Sequence, residues 1–274
     1  MAKKALCVGI NKFKNLPSAN LNGCVNDVKD MTGILKDFLG FKASDITTLT
    51  DSQATKVNIM KNLNAMVDGA KKGKYNYLVF SLSSHGTQVP DKNNDEPDNA
   101  DEAFCPHDLA QKGDEWHPDH IITDDELNKL FTNVPKNVLL EVFFDTCHSG
   151  TGLKAIDLLL TRKPRFLPPP SLKAFKKLEG VEPRGLSNLM TDKGLTHHIL
   201  WAGCRADQTS ADAKIGSTWH GAFTYYFAKH MRATKNKLPR KDLLKKVKDD
   251  LKKNDYSQMP QLECEATKRT VKIG

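Results

Sequence analysis

Two short segments carry side chains that could do nucleophilic chemistry together. The apolar run YLVFSL (residues 77–82) leads into Ser83, Ser84, His85, Gly86, Thr87 and Gln88, and VLLEVFF (138–144) leads into Asp145, Thr146, Cys147, His148, Ser149 and Gly150. A cysteine attacks as its thiolate, and a neighbouring imidazole can take the thiol proton and later give it to a leaving amine. His85 and Cys147 are therefore the candidate base and nucleophile. Gly86 and Gly150 suit turns whose backbone N–H groups reach a substrate carbonyl, as an oxyanion hole requires. His148 is nearer in sequence, but consecutive residues of an extended segment face opposite ways, so a structural role suits it better. Plainer readings compete: a single Cys at a strand end is usually a small core residue, and a single His is usually satisfied or at the surface. Spacing alone leaves both readings open.

The elements around these residues predict how they meet. Short apolar runs alternate with helical patterns, the signature of βαβ units and a mainly parallel sheet. Strands are expected at residues 5–10, 46–49, 77–82, 138–144 and 198–202, with a last one at 270–273. YLVFSL and VLLEVFF are apolar on both faces, as central strands covered by helices must be. Val25, Val28, Met31, Ile34, Leu35 and Phe38 form a 3.6-residue stripe. Asp51 and Ser52 are candidate caps for a helix through Ile59, Leu63 and Met66, and Thr123 with Glu126 makes a capping box for one through Leu130. Further helices are expected near 220–231 and 240–253. Open α/β sheets carry their sites at the C-terminal strand ends, so parallel neighbours would bring His85 and Cys147 to one edge. Residues 90–118 read as a long acidic loop, and 154–193, with RKPRFLPPPSLK, as an exposed basic connection.

Composition narrows the classes. A 274-residue chain with 39% hydrophobic and 27% charged residues reads as an ordinary globular protein with room for a sizeable core. No apolar run approaches the ~20 residues of a membrane span. MAKKALCVGI reads as a buried first strand and not as a signal peptide, which makes the cytoplasm the default expectation. Six scattered cysteines without a CxxC pair suggest reduced thiols and no structural zinc. Residues 1–150 sum to −5 and 151–274 to +13. The basic half could meet nucleic acid, but its lysines are dispersed along amphipathic patterns such as RKDLLKKVKDDLKKN without interleaved aromatics, so a solvated helix face is the better reading.

SSHGTQ, an acidic loop and FDTCHSG, in that order, resemble the paired His and Cys motifs of metacaspases within the caspase-like group. GINKFKNLPSANLNGCVNDV, LTDSQAT, DEAFCPHD, ITDDEL, GCRADQTSADA, GAFTYYF and SQMPQL extend the resemblance over nearly the whole chain. It implies a three-layer α/β/α sandwich with a mostly parallel central sheet. It also implies a single catalytic domain, with residues 1–153 holding the dyad, 154–193 as the basic loop and 194–274 as the smaller part. The implied activity is that of a cysteine endopeptidase with a His85–Cys147 dyad and an oxyanion hole from the N–H groups of Gly86 and Cys147. Ser84 and Thr146 depart from the small residues usual in the family but remain small. The rivals are a catalytically silent interaction module and a basic nucleic-acid-binding protein; the intact His85 and Cys147 count against the first.

The resemblance further implies an acidic pocket that takes Arg or Lys before the cut bond, with Cys24, Asp27, Ser83 and Asp145 as its walls. Carboxylates there would pair with a guanidinium and repel an aspartate. Its calcium cluster maps to Asp101, Asp124 and Asp125, oxygen donors that suit that ion, while a fourth family carboxylate would fall near Lys154, with Asp157 as a substitute. DKNNDEPDNADE mimics an EF-hand loop but has Glu96 where that loop needs Gly. Arg162, Lys163, Arg165, Lys176, Lys177 and Arg184 offer exposed self-cleavage sites in the basic loop. No membrane partner is expected, and a monomer is preferred over a dimer.

Overall fold

The two apolar runs ahead of the candidate dyad form adjacent buried strands. They belong to a computed structural model that describes residues 2–90, 100–147, 162–177, 198–205 and 208–274. Its strands are β1 (Lys3–Gly9), β2 (Ile46–Thr50), β3 (Tyr77–Ser83), β4 (Gly86–Pro90), β5 (Ala100–Phe104), β6 (Gln111–Lys112), β7 (Glu115–Trp116) and β8 (Ile122–Thr123). Beyond them follow β9 (Leu139–Asp145), β10 (Arg162–Pro164), β11 (Ile199–Ala202), β12 (Ala211–Ile215), β13 (Thr218–Gly221) and β14 (Gln261–Glu263). The helices are α1 (Cys24–Leu39), α2 (Lys56–Lys71), α3 (Asp124–Phe131), α4 (Leu172–Lys177), α5 (Ala222–Thr234), α6 (Arg240–Lys253) and α7 (Ala266–Arg269).

The main sheet has the order β14-β11-β9-β3-β1-β2, parallel except for β14 against β11. Alternation along each strand feeds two cores. Leu6, Val8, Leu78, Phe80 and Leu82 face α2 and α3, where Ile59, Leu63, Met66, Leu127 and Phe131 complete one cluster. Ala5, Cys7, Tyr77 and Val79 face the other way, towards Met31 and Ile34 of α1, Phe227 and Met231 of α5, and Leu243 and Val247 of α6. The result is the three-layer α/β/α sandwich expected.

One charged side chain interrupts the apolar β9. Glu141, fully buried, accepts from Tyr77 Oη (2.9 Å), Trp201 Nε1 (2.9 Å) and both Nε (2.9 Å) and Nη2 (3.0 Å) of Arg240. Arg240 opens α6, so this pair fastens that helix to the sheet. Glu141→Gln keeps the shape but removes the charge from a network whose other members stay buried. Denaturant unfolding should report a loss of about 2 kcal/mol; an unchanged midpoint would mean the network is not a source of stability.

Several expectations are corrected. Asp51 and Ser52 do not cap α2; they lie in a short 3₁₀ turn, and Asp51 Oδ1 instead accepts the N–H groups of Asn11 and Lys12. The cap is Thr55, whose hydroxyl accepts from Asn58 N at 3.3 Å. Residues 270–273 form no strand; the antiparallel edge is β14, where Leu262 is buried. Part of the acidic stretch is sheet, since β5 pairs with β4 and β8. Part of the basic connection is interior: β10 pairs with β12, and Arg165 is fully buried. Thr123 and Glu126 do form the capping box of α3. Among the described residues no helix is long and apolar enough to cross a membrane.

Candidate active site

β3 and β9 end in register, with Ser83 opposite Asp145. His85 and Cys147 each lie two residues further on, so parallel pairing delivers both to one sheet edge. His85 Nε2 bonds the Ala19 carbonyl at 2.7 Å. A carbonyl only accepts, so Nε2 carries the proton and Nδ1 keeps the basic lone pair. Nδ1 is buried and has no hydrogen-bond partner among the described residues, so it does not bond Cys147 in this structure. The Cys147 thiol instead takes the Ser210 N–H and lies 3.2 Å from Cys204 Sγ. Burial, and then the neighbouring Cys204 thiol, push the Cys147 pKa well above its ordinary value. Burial lowers that of His85 to about 4, against the opposing Ala19 carbonyl and with help from the Arg165 charge. Burial thus favours the neutral form of both groups.

The chain itself runs past both groups. β10 lies antiparallel to β12, Arg165 N donates to Ser210 O at 2.9 Å, and Leu167 N donates to Gly86 O at 2.9 Å. The Arg165 carbonyl accepts from Gly86 N at 2.9 Å and from Cys147 N at 3.3 Å. These are the two N–H groups assigned above to the oxyanion hole. The Arg165 side chain enters a pocket where Nη2 meets Asp27 Oδ2 at 2.7 Å and Asp212 Oδ1 at 3.1 Å. Its Nη1 meets the Asp145 carbonyl at 3.0 Å and carboxylate at 3.4 Å. The segment is thus bound as an added β-strand, with one side chain anchored in a pocket.

The pocket is held open by its own bonds. Asp145 accepts from Ser210 Oγ and from Thr224 N and Oγ1, Asp27 from Gly221 N, and Asp212 from Asn22 N and Gly23 N. Burial lifts the Asp27 carboxyl to about 6, against the pull of the Arg165 guanidinium. At Gly221 a Cβ would come within 2.5 Å of Arg165 Nη1, so only glycine leaves the guanidinium room. Cys24 and Ser83 are buried. The Cys24 thiol feels the Arg165 charge but, through burial, stays well above its ordinary pKa. Ser83 contributes its carbonyl to Ile10 N.

The chain matches the caspase domain over residues 2–271. It is 32% identical to Metacaspase-1 of Pyricularia oryzae over 96% of its own length and 71% of the relative's. Metacaspase-1 of Botryotinia fuckeliana is 33% identical, with 96% and 67% covered. The chain belongs to the metacaspases. Two solved structures bear out the fold. A Geobacter sulfurreducens protein superposes with a TM-score of 0.68 at 24% identity, over 100% of this chain and 97% of that one. Caspase-1 of Spodoptera frugiperda gives 0.60 at 13%, over 96% and 86%. This metacaspase is therefore a caspase-family cysteine endopeptidase.

Sequence reasoning missed four parts of the site, Asp212, Ser210, Cys204 and the Ala19 carbonyl, and it read Arg165 as an exposed cut site where the structure buries it. Asp212, Ser210 and Cys204 all sit in GCRADQTSADA, a stretch noted as a motif but not searched for ligands. Of the acidic cluster, Asp101 and Asp125 line one cavity of about 660 Å³, whereas the buried Asp124 is not in its lining. Among the described residues no three acidic, thiol or imidazole side chains gather closely enough to hold a metal ion. His148, Ser149, Gly150, Lys154, Asp157, residues 91–99 and Arg184 lie outside the described residues, and so do the side chains of Lys176 and Lys177.

Proposed function

We propose that the enzyme cuts polypeptides after Arg or Lys through Cys147 and His85, and that the bond between Arg165 and Phe166 is its own first target. The observation that carries this is the docking of Arg165, with its guanidinium among three carboxylates and its carbonyl on the Gly86 and Cys147 N–H groups. A pocket with that charge binds a cation and rejects a carboxylate. A carbonyl polarised by two N–H donors is the one a nearby nucleophile attacks.

The steps follow from the groups present. His85 Nδ1 takes the Cys147 proton, and Sγ adds to the carbonyl carbon. The carbonyl π pair moves to oxygen, where Gly86 and Cys147 N–H hold the charge. The imidazolium then protonates the departing nitrogen as the C–N bond breaks, leaving a thioester on Cys147. His85 next removes a proton from water, which attacks the thioester and returns the thiol. For this Sγ must turn from Ser210 N and Cys204 towards His85.

Calcium stimulation belongs to the same proposal through the resemblance, with Asp101 and Asp125 offering two oxygens; no step above passes through the ion. A monomer suits the sheet edge at β14, only three residues long.

The test is hydrolysis of matched fluorogenic peptides ending in Arg, Lys or Asp, by wild type and Cys147→Ala, with calcium and with chelator. Turnover of the Arg and Lys peptides alone is expected. Cys147→Ala should lose at least ~10⁴ in rate and stay uncut at Arg165. Cleavage after Asp, or fragmentation of the purified variant at Arg165, would defeat the proposal. Equal rates with chelator would remove calcium from it.

A further inference from the structure

The docked segment also shows where a substrate's more distant residues go, and one place is built for a specific side chain. Resting on the reading of residues 162–167 as a bound substrate, we propose a second basic subsite, formed by Tyr256 and the C-terminal end of α6. It takes an arginine three residues before the arginine at the cut.

The Arg162 guanidinium lies over the Tyr256 ring, 3.9 Å from its centre. Its Nη1 donates to Asp255 O at 2.8 Å and its Nη2 to Asn254 O at 2.9 Å. These carbonyls are presented by the way α6 ends. Asp255 takes the left-handed conformation (φ 57°), Asp255 N bonds Lys252 O at 3.2 Å, and Tyr256 N bonds Leu251 O at 3.0 Å. That closing motif satisfies the earlier helix carbonyls and leaves those of Asn254 and Asp255 facing away from the helix, at its electronegative end. Tyr226 meets the Tyr256 ring edge-on at 6.0 Å and fixes its tilt.

The contact follows from a register that any substrate would share. β10 is held to β12 by main-chain pairing, Arg162 opposite Ala213 and Pro164 opposite Ala211. A peptide whose arginine fills the Asp27–Asp145–Asp212 pocket and which pairs with β12 in the same way puts its residue three positions upstream over Tyr256. A planar guanidinium can stack on the ring and reach two carbonyls at once, whereas an ammonium cannot do both. The next position, Lys163, reaches Asn20 O at 3.1 Å in solvent and offers little selection.

The experiment compares coumarin peptides of sequence Arg-Lys-Pro-Arg, Lys-Lys-Pro-Arg, Ala-Lys-Pro-Arg and Glu-Lys-Pro-Arg on the active full chain and on Tyr256→Ala and Tyr256→Phe. Wild type should favour the leading Arg over Ala by roughly 5- to 20-fold in kcat/KM, with Lys between and Glu last. The Arg-to-Ala ratio should fall towards one in Tyr256→Ala and persist in Tyr256→Phe, which keeps the ring face. A wild-type ratio within twofold, or a ratio that survives in Tyr256→Ala, overturns the subsite while leaving the cut after arginine intact. No hydrolysis of any of the four sinks the arginine-cleavage reading, and the subsite with it.

Discussion

Arg165→Ala will give a peptidase that works without cutting itself. Measured while both proteins are still intact on a gel, the variant should hydrolyse Arg-ending peptides about 10- to 100-fold faster than wild type. The size follows from competition. A segment tethered in its own site acts at an effective concentration of about a millimolar or more, against typical peptide KM values from ~1 μM to ~1 mM. Alanine removes all three ion pairs of the guanidinium, so residues 162–167 keep main-chain pairing, the edge contacts of Arg162 and Lys163 and the packing of Leu167. The Asp27, Asp145 and Asp212 carboxylates then rehydrate or take a substrate cation. Cys147 should respond as well. Burial is the main cause of its raised pKa, so an emptied cleft will speed its alkylation by iodoacetamide. Wild type should show a lag that ends as the chain splits after Arg165, and the variant should show neither. A variant as slow as intact wild type would mean that the segment is not what silences the site.

The same residue marks how far the sequence could be read. β3 and β9 were legible because nearly every position of YLVFSL and of VLLEVFF is apolar, as covering both faces requires. Their parallel pairing then carried His85 and Cys147 to one edge without any further signal. Asp27 and Asp145 came from the resemblance, and the structure brings both to one guanidinium. Arg165 was legible as a cut site but its burial was not. A basic, proline-containing stretch normally lies in water, and only carboxylates from α1, β9 and β12, far apart in sequence, make its burial favourable. The Ala19 carbonyl that orients His85 leaves no trace in residue type, because any residue supplies a carbonyl.

The misplaced last strand has a similar cause. Thr270 to Ile273 offers β-branched residues at suitable spacing, while β14 has one buried side chain, Leu262, in three residues. Local pattern favoured the wrong segment, and the edge of β11 chose the other. Glu141 is the reverse case. An acid inside VLLEVFF looks like a flaw in a central strand until Arg240, ninety-nine positions later, is seen beside it.

Asp145→Ala should cost about 10³-fold in kcat/KM for Arg peptides, more than loss of either other pocket carboxylate. Asp27 and Asp212 share one guanidinium nitrogen, Nη2, so each can partly replace the other. Burial also lifts the Asp27 carboxyl to about 6, against the pull of the guanidinium. Asp145 alone supports Nη1 from the carboxylate side. Its two oxygens also hold Ser210 Oγ at 2.6 Å and Thr224 N and Oγ1 at 3.0 and 2.7 Å. Ser210 is the residue whose N–H bonds Cys147 Sγ and whose carbonyl receives the incoming strand. Truncation therefore removes a charge from the buried pair and loosens the loop that positions both nucleophile and substrate. Losing one partner of such a pair costs roughly 2–5 kcal/mol, and the loop adds to it. Asp145→Asn should fall less far, since an amide oxygen can still accept from Ser210 or Thr224, while its other atom cannot serve the remaining donors. If Asp145→Ala, folded by circular dichroism and still alkylated at Cys147, kept hydrolysis within threefold of wild type, the pocket's charge would not be what selects arginine.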